Sequence, residues 1–149
     1  TVITAPSGGS PGRACAEPQG ARAPPGPAAP AAIEQRDKTF TPRVLAVPVG
    51  TTVRFPNSDV IFHNVFSLSQ GNAFDLGLYR AGASKSRTLT TPGVVRLFCN
   101  IHPQMPAVVV AVPTPWVTVA GAGGAFRLEL PPGRYRVTAR RARGLAHVR

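Results

Sequence analysis

Short apolar runs with a period of two are the feature of this sequence that most restricts its fold. In "VVRLFC", Val95, Leu97 and Cys99 alternate with other side chains, and residues two apart lie on one face of a β-strand. Pro, Gly or Asn interrupts such runs roughly every 8–12 residues. No segment longer than about ten residues combines helical spacing with caps. The pattern therefore predicts an all-β chain of short strands joined by turns.

Three segments locate the predicted strands of one sandwich. Residues 43–57, "RVLAVPVGTTVRFPN", are predicted to form two strands. Residues 86–99 are predicted to form a hairpin, because "TPG" supplies Pro and Gly where a type II turn favours them. Residues 107–112, "AVVVAV", are predicted to be an apolar core strand. Together they predict an antiparallel β-sandwich of about 80 residues, spanning residues 33–112.

The two ends of the chain differ from this central part. Residues 1–32 are rich in Pro, Gly and Ala, which predicts an extended linker without a core of its own. Residues 113–140 alternate around Gly-rich and Pro-Pro-Gly turns, which predicts two or three further strands. So small a unit would either dock on the main sandwich or pair with a strand formed by "TVIT" near the N terminus. Residues 141–149 form a basic tail.

The net charge of +11 lies mostly at the C terminus. Residues 113–149 carry seven Arg against one Glu, whereas residues 33–112 carry eight Arg or Lys against four acids. Aromatic side chains do not interleave the Arg run as a base-stacking surface would require. We therefore predict a solubilising tail and no nucleic-acid partner.

The apolar runs also bear on membrane insertion. The longest, "AVVVAV", is far shorter than the roughly 20 residues that a membrane-spanning helix needs. The sequence starts without the basic and then apolar segments of a secretory signal. We therefore predict no membrane span and a chain from which any secretory signal is missing.

One loop concentrates the residues that carry chemistry. In "FCNIHPQM", Cys99, His102 and Met105 follow a predicted strand with CxxHxxM spacing, and His63 lies upstream in "FHNVF". Thiolate and thioether sulfur suit Cu(I), while imidazole suits both copper oxidation states. Two His and one Cys form a trigonal set that a Met can complete from the axis, as in blue copper sites. We predict that these four residues bind one copper ion per chain, which cycles between Cu(I) and Cu(II).

Each of these residues also has a simpler explanation. Cys99 alone could be a small buried apolar side chain and Met105 alone could fill the core, while each His alone could be an ordinary core or surface residue. Zinc binds Cys with two His, but a fourth Cys, His or carboxylate would be expected where the loop has Met105. A disulfide between Cys15 and Cys99 is a further alternative. Nucleophilic catalysis is disfavoured because no oxyanion donors accompany His102, so no catalytic residues are predicted.

At these residues the sequence resembles the cupredoxin, or blue copper, family. It is most similar to the amicyanin and plastocyanin-like members, a group that includes methylamine utilisation proteins. The similarity rests on "VPVGTTVRFPNSD", "FHNVFS", "FDLGLY" and "FCNIHPQM", and it covers residues 33–112. The resemblance implies a Greek-key β-sandwich with both His and Cys99 as equatorial copper ligands and Met105 as the axial one. It also implies that Asn64 forms a hydrogen bond between the two ligand loops.

The terminal segments resemble a second fold. "AGAGGAFRLELPPGRYRV" is similar to the closing hairpins of a carboxypeptidase regulatory-like β-sandwich, and "TVITAPSGGSPGRACAEP" is similar to its opening strands. The resemblance implies a cupredoxin domain inserted into a small sandwich. The expected order is an N-terminal segment at 1–32, the cupredoxin domain at 33–112, the hairpins at 113–140 and the basic tail at 141–149.

The resemblance implies a function as well as a fold. It implies a soluble one-electron carrier between redox partner proteins, not an enzyme, that works as a monomer in the periplasm. Partners are expected to dock transiently around His102, where Phe62, Pro103 and Pro106 would form an apolar surface. A copper-binding or storage module, or a structural sandwich without an electron-transfer role, is the alternative.

Overall fold

A computed structural model describes residues 2–5, 12–19 and 30–141 of the 149-residue chain. These residues form fifteen strands and one short 3-10 helix, Ala122–Gly124, and none of them is in an α-helix. The strands are β1 (Val2–Ala5), β2 (Gly12–Pro18), β3 (Ala31–Ala32), β4 (Glu34–Arg36), β5 (Thr39–Thr41), β6 (Val44–Pro48), β7 (Thr52–Pro56), β8 (His63–Ser67), β9 (Phe74–Tyr79), β10 (Ser84–Thr88), β11 (Gly93–Leu97), β12 (Ala107–Val112), β13 (Trp116–Val119), β14 (Phe126–Glu129) and β15 (Tyr135–Arg141). Among the described residues no helix is long and apolar enough to cross a bilayer. The predictions for residues 20–29 and for the basic tail beyond Arg141 lie outside this part of the chain.

Strands β3 to β12 form a β-sandwich, as the sequence predicts. Its three-stranded sheets have the orders β10-β7-β3 and β11-β12-β6, and the pairs β4-β5 and β8-β9 complete it. The core is filled by large side chains that are almost completely buried: Ile33, Phe40, Phe55, Leu89, Leu97 and Val109. Full burial of such a side chain contributes roughly 1.5–3 kcal/mol, so this core is the main source of stability.

The hairpin predicted for residues 86–99 is wrong. β10 pairs with β7 and β11 pairs with β12, so the two strands lie in different sheets. Leu89 between them is buried, its N–H donates to Thr51 O, and its carbonyl accepts from Gly50 N–H. These bonds fix the end of β10 to the loop before β7, after which the chain crosses to the opposite sheet. Alternation predicts the strands but not the sheet that each strand joins.

Two of the strand pairings in the described residues are parallel. β6 pairs with β12, and β3 pairs with β7. Parallel strands cannot be joined by a tight turn, so each pair brings together separated parts of the sequence. The sandwich is therefore mainly antiparallel but includes these parallel contacts.

β12 is apolar on both faces because two layers cover it. Val109 and Ala111 belong to the core of the main sandwich, whereas Val110 and Val112 pack against Cys15 of β2. A strand in a sheet with one solvent-exposed face would alternate apolar and polar residues. The continuous run "AVVVAV" is explained by a second layer on the outer side of this sheet.

That second layer is built from both ends of the chain. β2 lies between β13 and β15, and β1 pairs with β14. Its small core consists of Ala14, Ala16, Leu128 and Leu130, with Trp116, Phe126 and Tyr135 packed against it. Both arrangements that the sequence leaves open are present, since β14 pairs with the "TVIT" strand β1 and β13 packs on the main sandwich.

The prediction of a linker over residues 1–32 is wrong for Val2–Ala5 and Gly12–Pro18, which form β1 and β2 in the segment that resembles the opening strands of a small sandwich. The buried side chains of β2 are small, and they give no strong apolar pattern in the sequence. The Thr114 hydroxyl donates to the carbonyl of Ala16, which fixes the connection between β12 and β13 to β2. No disulfide joins Cys15 to Cys99.

Candidate metal centre

His63 is the first residue of β8, and its side chain is fully buried. Ring atom Nε2 lies 2.9 Å from Oδ2 of Asp59. An ionised carboxylate only accepts hydrogen bonds, so Nε2–H donates to it and Nδ1 keeps its lone pair. This Nδ1 faces Cys99 and His102. The ring is therefore oriented for coordination through Nδ1.

Cys99 follows the end of β11 and is also buried. Phe98, the residue before it, exchanges two backbone hydrogen bonds of 3.0 Å with Phe66 of β8. Because β8 also carries His63, this pairing fixes the thiol relative to the imidazole. Val95, Leu97 and Cys99, which the alternation predicts on one face, are all buried in the same core cluster.

His102 and Met105 lie in the loop between β11 and β12. The Met105 N–H donates to the His102 carbonyl at 3.1 Å, which closes a tight turn. His102 is half-buried, whereas Met105 is buried in the same core cluster as Cys99. Burial lowers the pKa of His102, and the neighbouring His63 and Lys38 lower it further. The His102 ring is thus neutral near pH 7, which is the form that binds metals.

Three potential ligand atoms converge from these two loops. Cys99 Sγ is 3.8 Å from His63 Nδ1 and 3.7 Å from His102 Nδ1, and the two Nδ1 atoms are 3.1 Å apart. The centre of this triangle lies about 2.1 Å from each atom, close to metal bonds of about 2.0–2.1 Å to imidazole and about 2.3 Å to thiolate. The three side chains are a group that could hold a metal ion, and their geometry fits one.

Asp59 is a functional residue that the sequence analysis missed. Three N–H groups reach its carboxylate at 2.9 Å: His63 Nε2, the backbone of Lys38 and the backbone of Val60. The hydrogen bond from His63 lowers the pKa of Asp59 to about 2, and the Lys38 N–H contributes to this shift. The carboxylate is therefore ionised at neutral pH. The available signal was an acid four residues before a candidate ligand, in "DVIFH".

A tight turn brings the Lys38 N–H to Asp59. β4 and β5 are joined by Asp37 and Lys38, whose φ angles are 51° and 54°. Both central residues of a type I′ turn adopt this left-handed conformation, which is uncommon for residues other than Gly. The turn also places the Lys38 charge near enough to lower the pKa of His102.

Asn64 connects the two ligand loops, as the resemblance implies. It follows His63 in β8, and its side chain is buried. Its Oδ1 accepts a hydrogen bond of 2.8 Å from the backbone N–H of Asn100. Asn100 follows Cys99, so this bond holds the Cys99 loop against β8.

Exposed apolar side chains directly precede both His63 and His102 in the sequence. Ile101, directly before His102, is 46% exposed, and Phe62, directly before the other His, is 57% exposed. Of the predicted apolar neighbours, Phe62 and Pro103 are exposed and Pro106 is half-buried. Exposed large apolar side chains of this kind are candidates for an interaction surface.

Solved structures of known proteins share the fold of this chain. A "Novel Purple Cupredoxin from Nitrosopumilus maritimus" matches with a TM-score of 0.50 and 24% identity, over 55% of this chain and 99% of that one. Amicyanin from Paracoccus versutus matches with a TM-score of 0.51 and 23% identity, over 58% of this chain and 84% of that one. A Cu-containing nitrite reductase from Thermus scotoductus matches with a TM-score of 0.54 and 27% identity, over 64% of this chain but only 25% of that one.

The chain therefore has the cupredoxin fold, and the resemblance to this family is confirmed. The nitrite reductase among these structures is Cu-containing. No protein-family model matches the chain, and no curated protein matches it. The resemblance of the terminal strands to a carboxypeptidase regulatory-like sandwich stays a prediction.

Proposed function

We propose that this protein is a type I copper protein that carries single electrons between redox partner proteins. In this proposal one ion binds both His and Cys99 as equatorial ligands and Met105 as the axial ligand. The supporting observation is that Cys99 Sγ and the Nδ1 atoms of His63 and His102 converge. Each pair of these three atoms lies within 3.8 Å. When bound, copper supplies the Cu(I)/Cu(II) couple for one-electron transfer.

The donor types favour copper over zinc. A structural zinc site is usually completed by a fourth Cys, His or carboxylate. The metal-ligating group found in the described residues contains His63, Cys99 and His102 only, and three N–H groups already reach the carboxylate of Asp59. The thioether of Met105, buried in the same cluster as Cys99, is a soft donor that suits copper.

Residues of the chain hold the proposed ligands in one arrangement. Asp59 fixes the ring of His63, and Asn64 fixes the loop that carries Cys99. The burial of His63, Cys99 and Met105 excludes water from the inner side of the site. Fixed ligands favour rapid electron transfer, since little has to rearrange when the oxidation state changes.

Redox partners are proposed to dock around His102, the one proposed ligand that is only half-buried. Val60, which is 89% exposed, adds to the apolar side chains of Phe62 and Ile101. Electron-transfer contacts of this kind are small and transient. The excess of basic residues in 33–112 favours an acidic partner through electrostatic steering. We expect a monomer that works in the periplasm, as the resemblance implies.

The proposal is for a carrier and not for an enzyme. The match to the nitrite reductase covers only 25% of the length of that enzyme. Multicopper oxidation would need several further His ligands. The sequence has three His, of which His147 lies in the basic tail outside the described residues.

The colour of the Cu(II)-loaded protein tests this proposal. Thiolate-to-Cu(II) charge transfer absorbs intensely in the visible range, so the loaded protein should be strongly coloured. Cys99→Ser should abolish the band, and Cys15→Ala, which removes the other thiol, should retain it. A colourless Cu(II) complex, or a band that survives Cys99→Ser, would reject the proposal.

A further inference from the structure

β9 contains a bulge opposite the part of β8 that follows His63. Asn64 pairs with Leu78 but Phe66 pairs with Asp75, so one residue of β8 faces two residues of β9. One of these two is Gly77, whose φ of 66° is left-handed, a conformation that Gly adopts without steric cost. Bulges of this kind re-aim a neighbouring side chain and occur often beside functional sites.

The bulge directs the carboxylate of Asp75 toward Asn64. Asp75 Oδ1 accepts a hydrogen bond of 2.8 Å from the Gly77 N–H and one of 3.2 Å from Asn64 Nδ2. The other amide atom of Asn64, Oδ1, accepts from the Asn100 N–H. A continuous chain of hydrogen bonds therefore runs from the bulge, through Asn64, to the residue after Cys99.

Both neighbours require the same orientation of the Asn64 amide. A carboxylate only accepts, so it must face Nδ2, and a backbone N–H only donates, so it must face Oδ1. Without the carboxylate, a rotated amide would lose only the bond to Asn100. With the carboxylate present, rotation breaks both bonds and leaves buried polar groups unsatisfied, which is costly.

We propose that Asp75 is a positioning residue that locks the Asn64 amide and thereby holds the loop of residues 99–105 against β8. Asp75 itself is exposed, so removal of its carboxylate leaves the core side chains in place. The consequence for copper rests on the proposed function, whereas the lock is a property of the metal-free protein.

Hydrogen exchange of the Asn100 backbone amide in the metal-free protein tests the lock. Asp75→Ala should speed this exchange about tenfold, as expected for the loss of one hydrogen bond in a partly buried network. Asp75→Asn keeps an acceptor oxygen and should stay within about twofold of the original rate. Glu129→Ala, which removes an exposed carboxylate from β14, should change nothing. The amides of β11 and β12 in the same spectra report whether the fold is intact.

A double variant separates the lock from a general loss of stability. Asn64→Ala removes the acceptor of the Asn100 N–H, so adding Asp75→Ala should give no further acceleration. The proposal is overturned if Asp75→Ala leaves the Asn100 rate unchanged, or if Asp75→Asn exchanges as fast as Asp75→Ala. Additive effects of Asn64→Ala and Asp75→Ala would overturn it as well.

The copper-loaded protein reports the functional consequence. Asp75→Ala should shift the visible absorption band and speed copper transfer to a chelator, whereas Asp75→Asn should do neither. If the Asn100 amide responds as expected but the original protein forms no coloured copper complex, the lock is supported and the proposed function fails. If the complex is coloured but the Asn100 amide does not respond, the proposed function is supported and the lock fails.

Discussion

The carboxylate of Asp59 and the imidazole of His63 form a hydrogen-bonded pair, with Oδ2 2.9 Å from Nε2. This pair decides which ring nitrogen faces Cys99. It also places a negative charge directly behind a proposed copper ligand. The Asp59 side chain is only 10% exposed, so solvent screens this charge weakly.

Asp59→Asn should therefore raise the reduction potential of the copper-loaded protein. A carboxylate favours the more positive oxidised site over the reduced one. An interaction of roughly 2 kcal/mol at an effective dielectric constant near 20 corresponds to a shift on the order of 100 mV for one electron. Voltammetry measures the shift, with Asp37→Asn as the control because Asp37 is exposed on the neighbouring turn. An unchanged or lowered potential in Asp59→Asn would contradict the assignment.

Asp59 should also make the free energy of unfolding of the metal-free protein depend on pH in the acidic range. The pKa of Asp59 falls from its ordinary 3.8 to about 2 in the folded protein, so the unfolded chain binds the proton more readily. The stabilisation is present above about pH 4 and is lost as the pH falls through about 2. Urea unfolding across this range should show a steeper loss of stability for the original protein than for Asp59→Asn. Parallel pH profiles would show that Asp59 contributes nothing.

Ile101→Glu should slow electron self-exchange between the reduced and oxidised forms of the protein. Self-exchange requires the apolar surfaces around His102 to meet, and a carboxylate there adds repulsion between the two copies, so a decrease of roughly tenfold or more is expected. Leu68→Glu is the matched control, because Leu68 is 80% exposed and lies past the end of β8 away from His63. NMR line broadening in mixtures of the two forms measures the rate. Equal slowing in both variants would argue against docking at His102.

Val110→Thr should destabilise the protein more than Val94→Thr. Val110 lies on β12 and packs against the second layer, so the new hydroxyl would be buried, at a cost of about 1–3 kcal/mol. Val94 of the adjacent β11 is 47% exposed, and a surface change of this kind costs within about 0.5 kcal/mol. Urea unfolding compares the two. Equal losses would mean that the second layer does not cover β12 in solution.

The sequence predicts most of the candidate site because its signals are local. CxxHxxM places Cys99, His102 and Met105 within one loop, and strand alternation places the thiol on the inner face. The structure then brings His63 to Cys99 and His102. The hydrogen bonds that Asp59 and Asp75 accept were not predicted, because each depends on a tight turn or bulge that the local pattern does not specify.

The errors in the predicted fold also have physical causes. β10 and β11 are consecutive strands, but the buried Leu89 between them is held by the loop at residues 50–51, and this long-range contact sends them to different sheets. Composition alone predicted a linker at β2, because Ala14, Cys15 and Ala16 are small and their burial depends on partner strands from the far end of the chain. Only the resemblance to a small sandwich implied a strand there. In both cases the deciding contacts are remote in sequence.

X-ray absorption at the copper edge of the loaded protein identifies the atoms that bind the metal, and so decides whether Cys99 and the two His are the ligands. We expect a first shell of two imidazole nitrogens and one short sulfur, with the short sulfur lost in Cys99→Ser and retained in Cys15→Ala. A first shell of nitrogen and oxygen without a short sulfur, or a sulfur that remains in Cys99→Ser, would contradict it.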